Sequence, residues 1–130
     1  MRGLRDERGA SAVEFAFLVP LLLVLVLGIA EFGRAFQVQG TLSAAAREGV
    51  RTMALQGDPA AARSTVRTAA ASLDPALTDA QIGITPSSCP VTYPGTATVR
   101  VTVSYRMPFL TGFFGAGVPL TGTGVMRCNG

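Results

Sequence analysis

The sequence predicts an α+β protein in which a long N-terminal helix packs on a small antiparallel sheet, and three observations predict it. Residues 15–30 carry no charge and read as an apolar helix. Residues 96–107 alternate, with Val99, Val101, Val103, Tyr105 and Met107 on one face and Thr98, Arg100, Thr102, Ser104 and Arg106 on the other. That is the period of a strand with one buried face. Between these segments, Gly57-Asp58-Pro59 ends one helix and offers Asp58 as N-cap, with Pro59 at the first position of a second. A chain of 130 residues holds one small domain besides its long helix.

The first nine residues read as a cytoplasmic leader. Arg2, Arg5 and Arg8 favour an N-inside, C-outside orientation, a bias that Arg34 and Arg47 on the far side oppose. Extending the uncharged run back to Gly9 gives about 22 residues, or about 33 Å of helix, against a hydrocarbon core of about 30 Å. The span is placed at about residues 12–30, within a helix over residues 10–56. Pro20 removes one backbone hydrogen bond inside it, which loosens or kinks the helix. Glu14 is the anomaly. A carboxylate costs about 2.5 to 3.5 kcal/mol at the centre of a bilayer and less near its edge, so its presence asks for a compensating partner.

Beyond the span, Phe32, Ala35, Phe36, Gln39, Leu42, Ala46, Val50 and Met53 recur at helical spacing and predict a mostly apolar stripe facing a core. Glu31 with Arg34 and Glu48 with Arg51 are i,i+3 pairs, each contributing a few tenths of a kcal/mol if exposed. Residues 57–130 form the expected extracytoplasmic α+β domain. A thin, Ala-rich second helix runs to about Leu73, and strands are expected at residues 81–85, 96–107 and 120–128. The segment from Pro108 to Pro119, with Phe109, Phe113 and Phe114, is too rich in Gly and Pro for a helix and too apolar for an ordinary loop. Its aromatics are expected to fill the small core; the alternative is a partly exposed patch that contacts the bilayer or another subunit.

Cys89 and Cys128 are the two cysteines of the chain, and both lie in this domain. In an exported segment a disulfide is the simplest reading, with two buried free thiols as its alternative. Closing a loop of about 40 residues would stabilise the domain by roughly 3 to 4 kcal/mol. Zinc is not expected, because a chain without His cannot complete a tetrahedral site from two thiolates. No other metal and no cofactor is expected.

The net charge of +3 comes from 11 basic residues, all Arg, against 8 acids. The arginines are spread among Ala and Thr without interleaved aromatics, which argues against a nucleic-acid surface. The sequence also lacks a base of the His type and a phosphate-cradling loop followed by Lys. Asp58, Asp74 and Asp79 sit beside Pro or Thr in turns, where capping is the usual role of Asp. The chain is therefore read as no enzyme.

A short basic leader ending in Gly9, four residues, then Glu14-Phe15 and a long apolar run resembles the pattern cut by prepilin peptidases. The scissile bond would lie between Gly9 and Ala10, making Glu14 the fifth residue of the mature chain. The blocks Ala12-Val13-Glu14-Phe15-Ala16, Pro20-Leu21-Leu22-Leu23, Glu31-Phe32-Gly33-Arg34-Ala35-Phe36 and Ala44-Ala45-Ala46-Arg47-Glu48-Gly49 resemble the TadE-like family, over roughly residues 8–53. Members of that family are minor pilins, or pseudopilins, of the tight-adherence (Tad) pilus machinery. The resemblance implies a peptidase as one partner, and a second minor pilin, a major fibre pilin and an inner-membrane assembly platform as others. It also implies a single-pass inner-membrane protein, held in lipid by its helix and able to join the pilus. Within this reading Gly9, Ala10, Glu14 and Phe15 form the processing site, and Glu14 also sets the register of helix packing in the assembly.

A rival reading competes with it. Gly28-Ile29-Ala30 places small residues at positions −3 and −1 of a conventional signal-peptidase site, which would release a soluble binding domain beginning at Glu31. Glu14, Pro20 and the length of the apolar run stand against it.

Overall fold

The computed structural model describes residues 2–89 and 97–128, with side chains from Glu7 onward. The expected strand start at Thr96 and the side chains of Arg2 and Arg5 lie outside the described residues. The elements are helices α1 (Arg2–Gln56) and α2 (Pro59–Ala69) and strands β1 (Ile82–Thr85), β2 (Thr98–Pro108) and β3 (Gly117–Arg127). Short 3₁₀ turns stand at Asp79–Gln81 and Gly112–Phe114. The expected α+β class is the observed one. The chain divides into two compact units, Met1–Arg34 and Ala35–Gly130.

In the first unit, α1 passes through the leader and the apolar run without interruption, Pro20 included. Its large apolar side chains are exposed, among them Phe15, Phe17, Leu21, Leu25 and Ile29. Glu31 is the exception, at 3% exposure. The few tenths of a kcal/mol expected for a surface pair of Glu31 with Arg34 do not apply to so buried a carboxylate.

In the second unit, α1 ends where Gly57 takes a positive φ of 65° and its N–H donates to the Met53 carbonyl at 2.8 Å. A left-handed residue just past a helix is where Gly carries no Cβ penalty. Asp58 then caps α2, its Oδ1 accepting from the Ala60 N–H at 3.0 Å, with Pro59 at the first helical position. The helix stops at Ala69, a few residues short of the expected Leu73. The Ala70 N–H donates back to the Val66 carbonyl, and the chain turns so that Leu73 and Leu77 enter the core.

The strands form an antiparallel meander in the order β1-β2-β3. The alternation expected along β2 is the observed one: Val99, Val101, Val103, Tyr105 and Met107 are all buried. Cross-strand rows run Ile84–Val101–Gly124 and Ile82–Val103–Gly122, so the core face narrows to glycine on β3. That narrowing decides which face of α1 meets the sheet. A Cβ on Gly122 would lie 2.5 Å from the Leu42 carbonyl, and one on Gly124 would lie 2.7 Å from the Ala46 oxygen. The helix rests backbone-close on β3, and only small side chains fit between them.

The buried face of α1 is therefore Val38, Leu42, Ala45, Ala46, Val50, Met53 and Ala54. Leu42, Ala46, Val50 and Met53 lie where the periodicity puts them. Phe32 and Phe36 do not: they are 69% and 78% exposed. Gln39, the polar break in the expected stripe, donates from Nε2 to the Thr121 carbonyl at 2.7 Å, which satisfies it at the margin of the sheet. On the other flank α2 is tied down by a Thr52–Thr65 hydroxyl hydrogen bond of 3.1 Å and by Arg67, 3.2 Å from Asp79. The Tyr105 hydroxyl donates to the Pro75 carbonyl at 3.0 Å.

Candidate processing and assembly site

Gly9, Ala10, Glu14 and Phe15 lie on consecutive turns of α1, all exposed. Ala10 and Glu14 are i,i+4 neighbours, about 6 Å apart along the axis and on one face. Side chains of a helix lean toward its N-terminus, so Glu14 leans toward Ala10. A cut between Gly9 and Ala10 would turn this neighbourhood into a helix start, with residues 10–13 presenting backbone N–H groups that have no intrahelical acceptor. The Glu14 carboxylate would then stand one turn from a new α-amino group and at the positive end of the helix dipole.

Open space surrounds Gly9: no atom lies within 4 Å of where its Cβ would be. Nothing in the fold requires glycine there. Gly is also the weakest helix former after Pro, by about 1 kcal/mol relative to Ala, so the helix is locally easiest to open next to the expected scissile bond.

The two sulfurs expected to pair do so. Cys89 and Cys128 form a disulfide with a Cα–Cα distance of 5.5 Å, spanning 39 positions. Cys128 is buried at the end of β3, and its N–H donates to the Ala97 carbonyl at 2.9 Å. The bridge joins the chain after β1 to the chain after β3, the two outer strands of the sheet.

The segment between β2 and β3 departs from the favoured expectation. Phe109 packs partly against the core, but Phe113 is 78%, Leu110 66% and Phe114 42% exposed. The cause is the short 3₁₀ turn Gly112–Phe114, which lifts these side chains past the end of the sheet. Sequence reasoning also missed Gly122, Gly124 and Ala45. Their signal was present: two glycines in alternate positions of a strand, facing an Ala-rich stretch of helix.

Among the described residues, one helix is long and apolar enough to cross a membrane, and it leads into a small disulfide-bonded α+β domain. These features suggest a membrane anchor followed by a compact domain. Residues 9–51 match the family model described as TadE-like protein, a stretch that covers the apolar helix and its continuation into the second unit. No curated protein and no solved structure matches the chain. The family match and the apolar helix together fit a pilin associated with the Tad pilus.

Proposed function

We propose that this chain is a minor pilin or pseudopilin of a Tad-type pilus assembly system, without catalytic activity of its own. A prepilin peptidase removes residues 1–9, the helix holds the mature chain in the inner membrane with its domain outside the cytoplasm, and the exposed apolar face packs against other pilins and the assembly platform. The observation that carries this reading is the coincidence of register. The family match begins at Gly9, the residue on which the basic leader, the acid five residues on and the uncharged run all converge. The exposed Phe and Leu side chains of residues 15–29 supply a surface suited first to lipid and then to neighbouring helices.

The rival, release of a domain starting at Glu31, fits the structure less well. That bond lies inside an unbroken helix, and Glu31 is buried. N-terminal sequencing of the protein from its native membrane decides among the readings: Ala10 supports prepilin processing, Glu31 a conventional signal peptide, and Met1 an uncut anchor. In the same experiment Gly9→Val should retain its leader yet remain in the membrane fraction. The open surroundings of Gly9 rule out a packing defect as the reason, so normal loss of residues 1–9 from that variant would refute the processing reading.

A further inference from the structure

The hairpin joining β2 and β3 ends in an apolar tip whose position within the domain is set by contacts inside the second unit. Gln39 is bonded to Thr121, Gly122 faces the backbone at Leu42, and Gly124 faces the backbone at Ala46. β3 therefore runs beside α1 in the same direction, and going back along β3 goes back along α1 toward Ala35. Gly117 is four residues before Thr121, about 13 Å of strand, whereas Ala35 is four residues before Gln39, about 6 Å of helix. The tip, which lies beyond Gly117, stands at the end of the unit where the chain arrives and past the level of Ala35.

Five positions separate Ala35 from Ala30, where the uncharged run ends, so at most about 17 Å of chain can lie between them. The polar layer of a bilayer is roughly 5 to 8 Å deep on each side of its hydrocarbon core. With so short a tether, Leu110, Phe113 and Phe114 are within reach of the polar layer of a bilayer that the apolar run crosses. The charge pattern agrees. No acid follows Asp79 anywhere in the chain, and Arg106 is exposed just before the tip. Three apolar side chains are too little for a stable protein interface. They suffice to add to an anchor that already holds them near the membrane.

We propose that the β2–β3 tip docks into the interfacial layer of the bilayer that α1 spans, with Phe113 and Leu110 at the acyl boundary and Arg106 toward anionic headgroups. This rests on α1 being a membrane span, and the test separates the two. The chain has no Trp, so Phe113→Trp and Leu110→Trp each introduce a single indole, excited apart from the two tyrosines, at an exposed position. Val125→Trp is the control, because Val125 is 52% exposed and eight residues of strand, about 26 Å, from Gly117.

The full chain is placed in nanodiscs of phosphatidylcholine and phosphatidylglycerol. Both tip probes should emit to the blue of the control and lose most of their intensity when the lipid is brominated near the headgroup, while the control keeps its own. Tip probes that emit and quench like Val125→Trp, in discs that retain the protein, would overturn the docking and leave the span intact. Protein that the discs fail to retain would overturn both. A blue shift that is insensitive to brominated lipid and grows with the number of chains per disc would show a second copy covering the tip, and would also overturn the proposal.

Discussion

Gly124→Ala tests the seam on which the domain is built. The added Cβ would lie 2.7 Å from the Ala46 oxygen, 2.9 Å from its carbonyl carbon and 3.1 Å from the Arg47 nitrogen. All three are backbone atoms of a helix held on both flanks, so none can swing aside. Relief requires α1 and β3 to part by about 0.5 to 1 Å, and a gap of that size forfeits a quarter to a half of the dispersion energy of the contacts it opens. Overpacking of this kind costs about 1 to 3 kcal/mol. For a unit of this size that lowers the melting temperature by about 4 to 20 °C. The matched control is Gly83→Ala, whose Cβ would meet the Thr102 oxygen at an ordinary 3.7 Å. It should be neutral or slightly stabilising, because losing glycine narrows the unfolded ensemble. Thermal unfolding of the full chain in detergent, followed by circular dichroism, reads both. Equal melting temperatures for Gly124→Ala and wild type, or an equal loss in the two variants, would refute the argument that close backbone approach fixes the helix on the sheet.

Two further outcomes are expected. Glu14→Ala should insert and be cleaved but be poorly incorporated into pili, because it lacks the carboxylate to which the axial-register role beside a new Ala10 amine is proposed to belong; pili purified with the wild-type proportion of this variant would dismiss that role. Cys128→Ser should lower the stability of the domain by about 2 to 5 kcal/mol, in line with a loop of 39 positions. A melt of the wild type with and without reductant checks this, since an unchanged melting temperature would mean that the bridge contributes nothing.

The parts of the fold that sequence made legible are those with a one-dimensional signature. β2 declared itself because alternation needs only a buried face and a wet one, and every expected core residue from Val99 to Met107 is buried. The junction at Gly57-Asp58-Pro59 did so because a left-handed residue, a side-chain cap and a residue without an N–H are each demanded by one local geometry. The cysteine pair was readable from its count and from the export that the sequence leads one to expect. What hydrophobicity could not convey was which face of α1 is covered. Phe32 and Phe36 have the right spacing and stronger apolar character than Ala45 or Ala46, yet they face outward. The deciding quantity is the thickness of the seam, which glycines more than 70 residues away along the chain set. The tip between β2 and β3 was misjudged for the same reason: a run of aromatics reads as core until the strand register shows that the sheet has already ended beneath it.

The distribution of side-chain size along α1 follows from two unlike requirements on one helix. Before Arg34 most of its large side chains are exposed Phe, Leu, Val and Ile. After Ala35 the covered face changes to Val, Ala and Leu, with Gly49 so close to α2 that an added Cβ would press on the Val66 side chain, while Val101 stays at ordinary contact distance. A face meant for lipid gains from every additional methylene, at about 0.8 kcal/mol each, and has no shape to match. A face meant for the sheet is limited by packing density, where an extra methylene costs rather than contributes. The exchange of large for small residues along the helix thus marks where the chain stops being solvated by something else and starts being solvated by itself. Phe36, 78% exposed although it belongs to the domain, carries the outward apolar surface past that boundary.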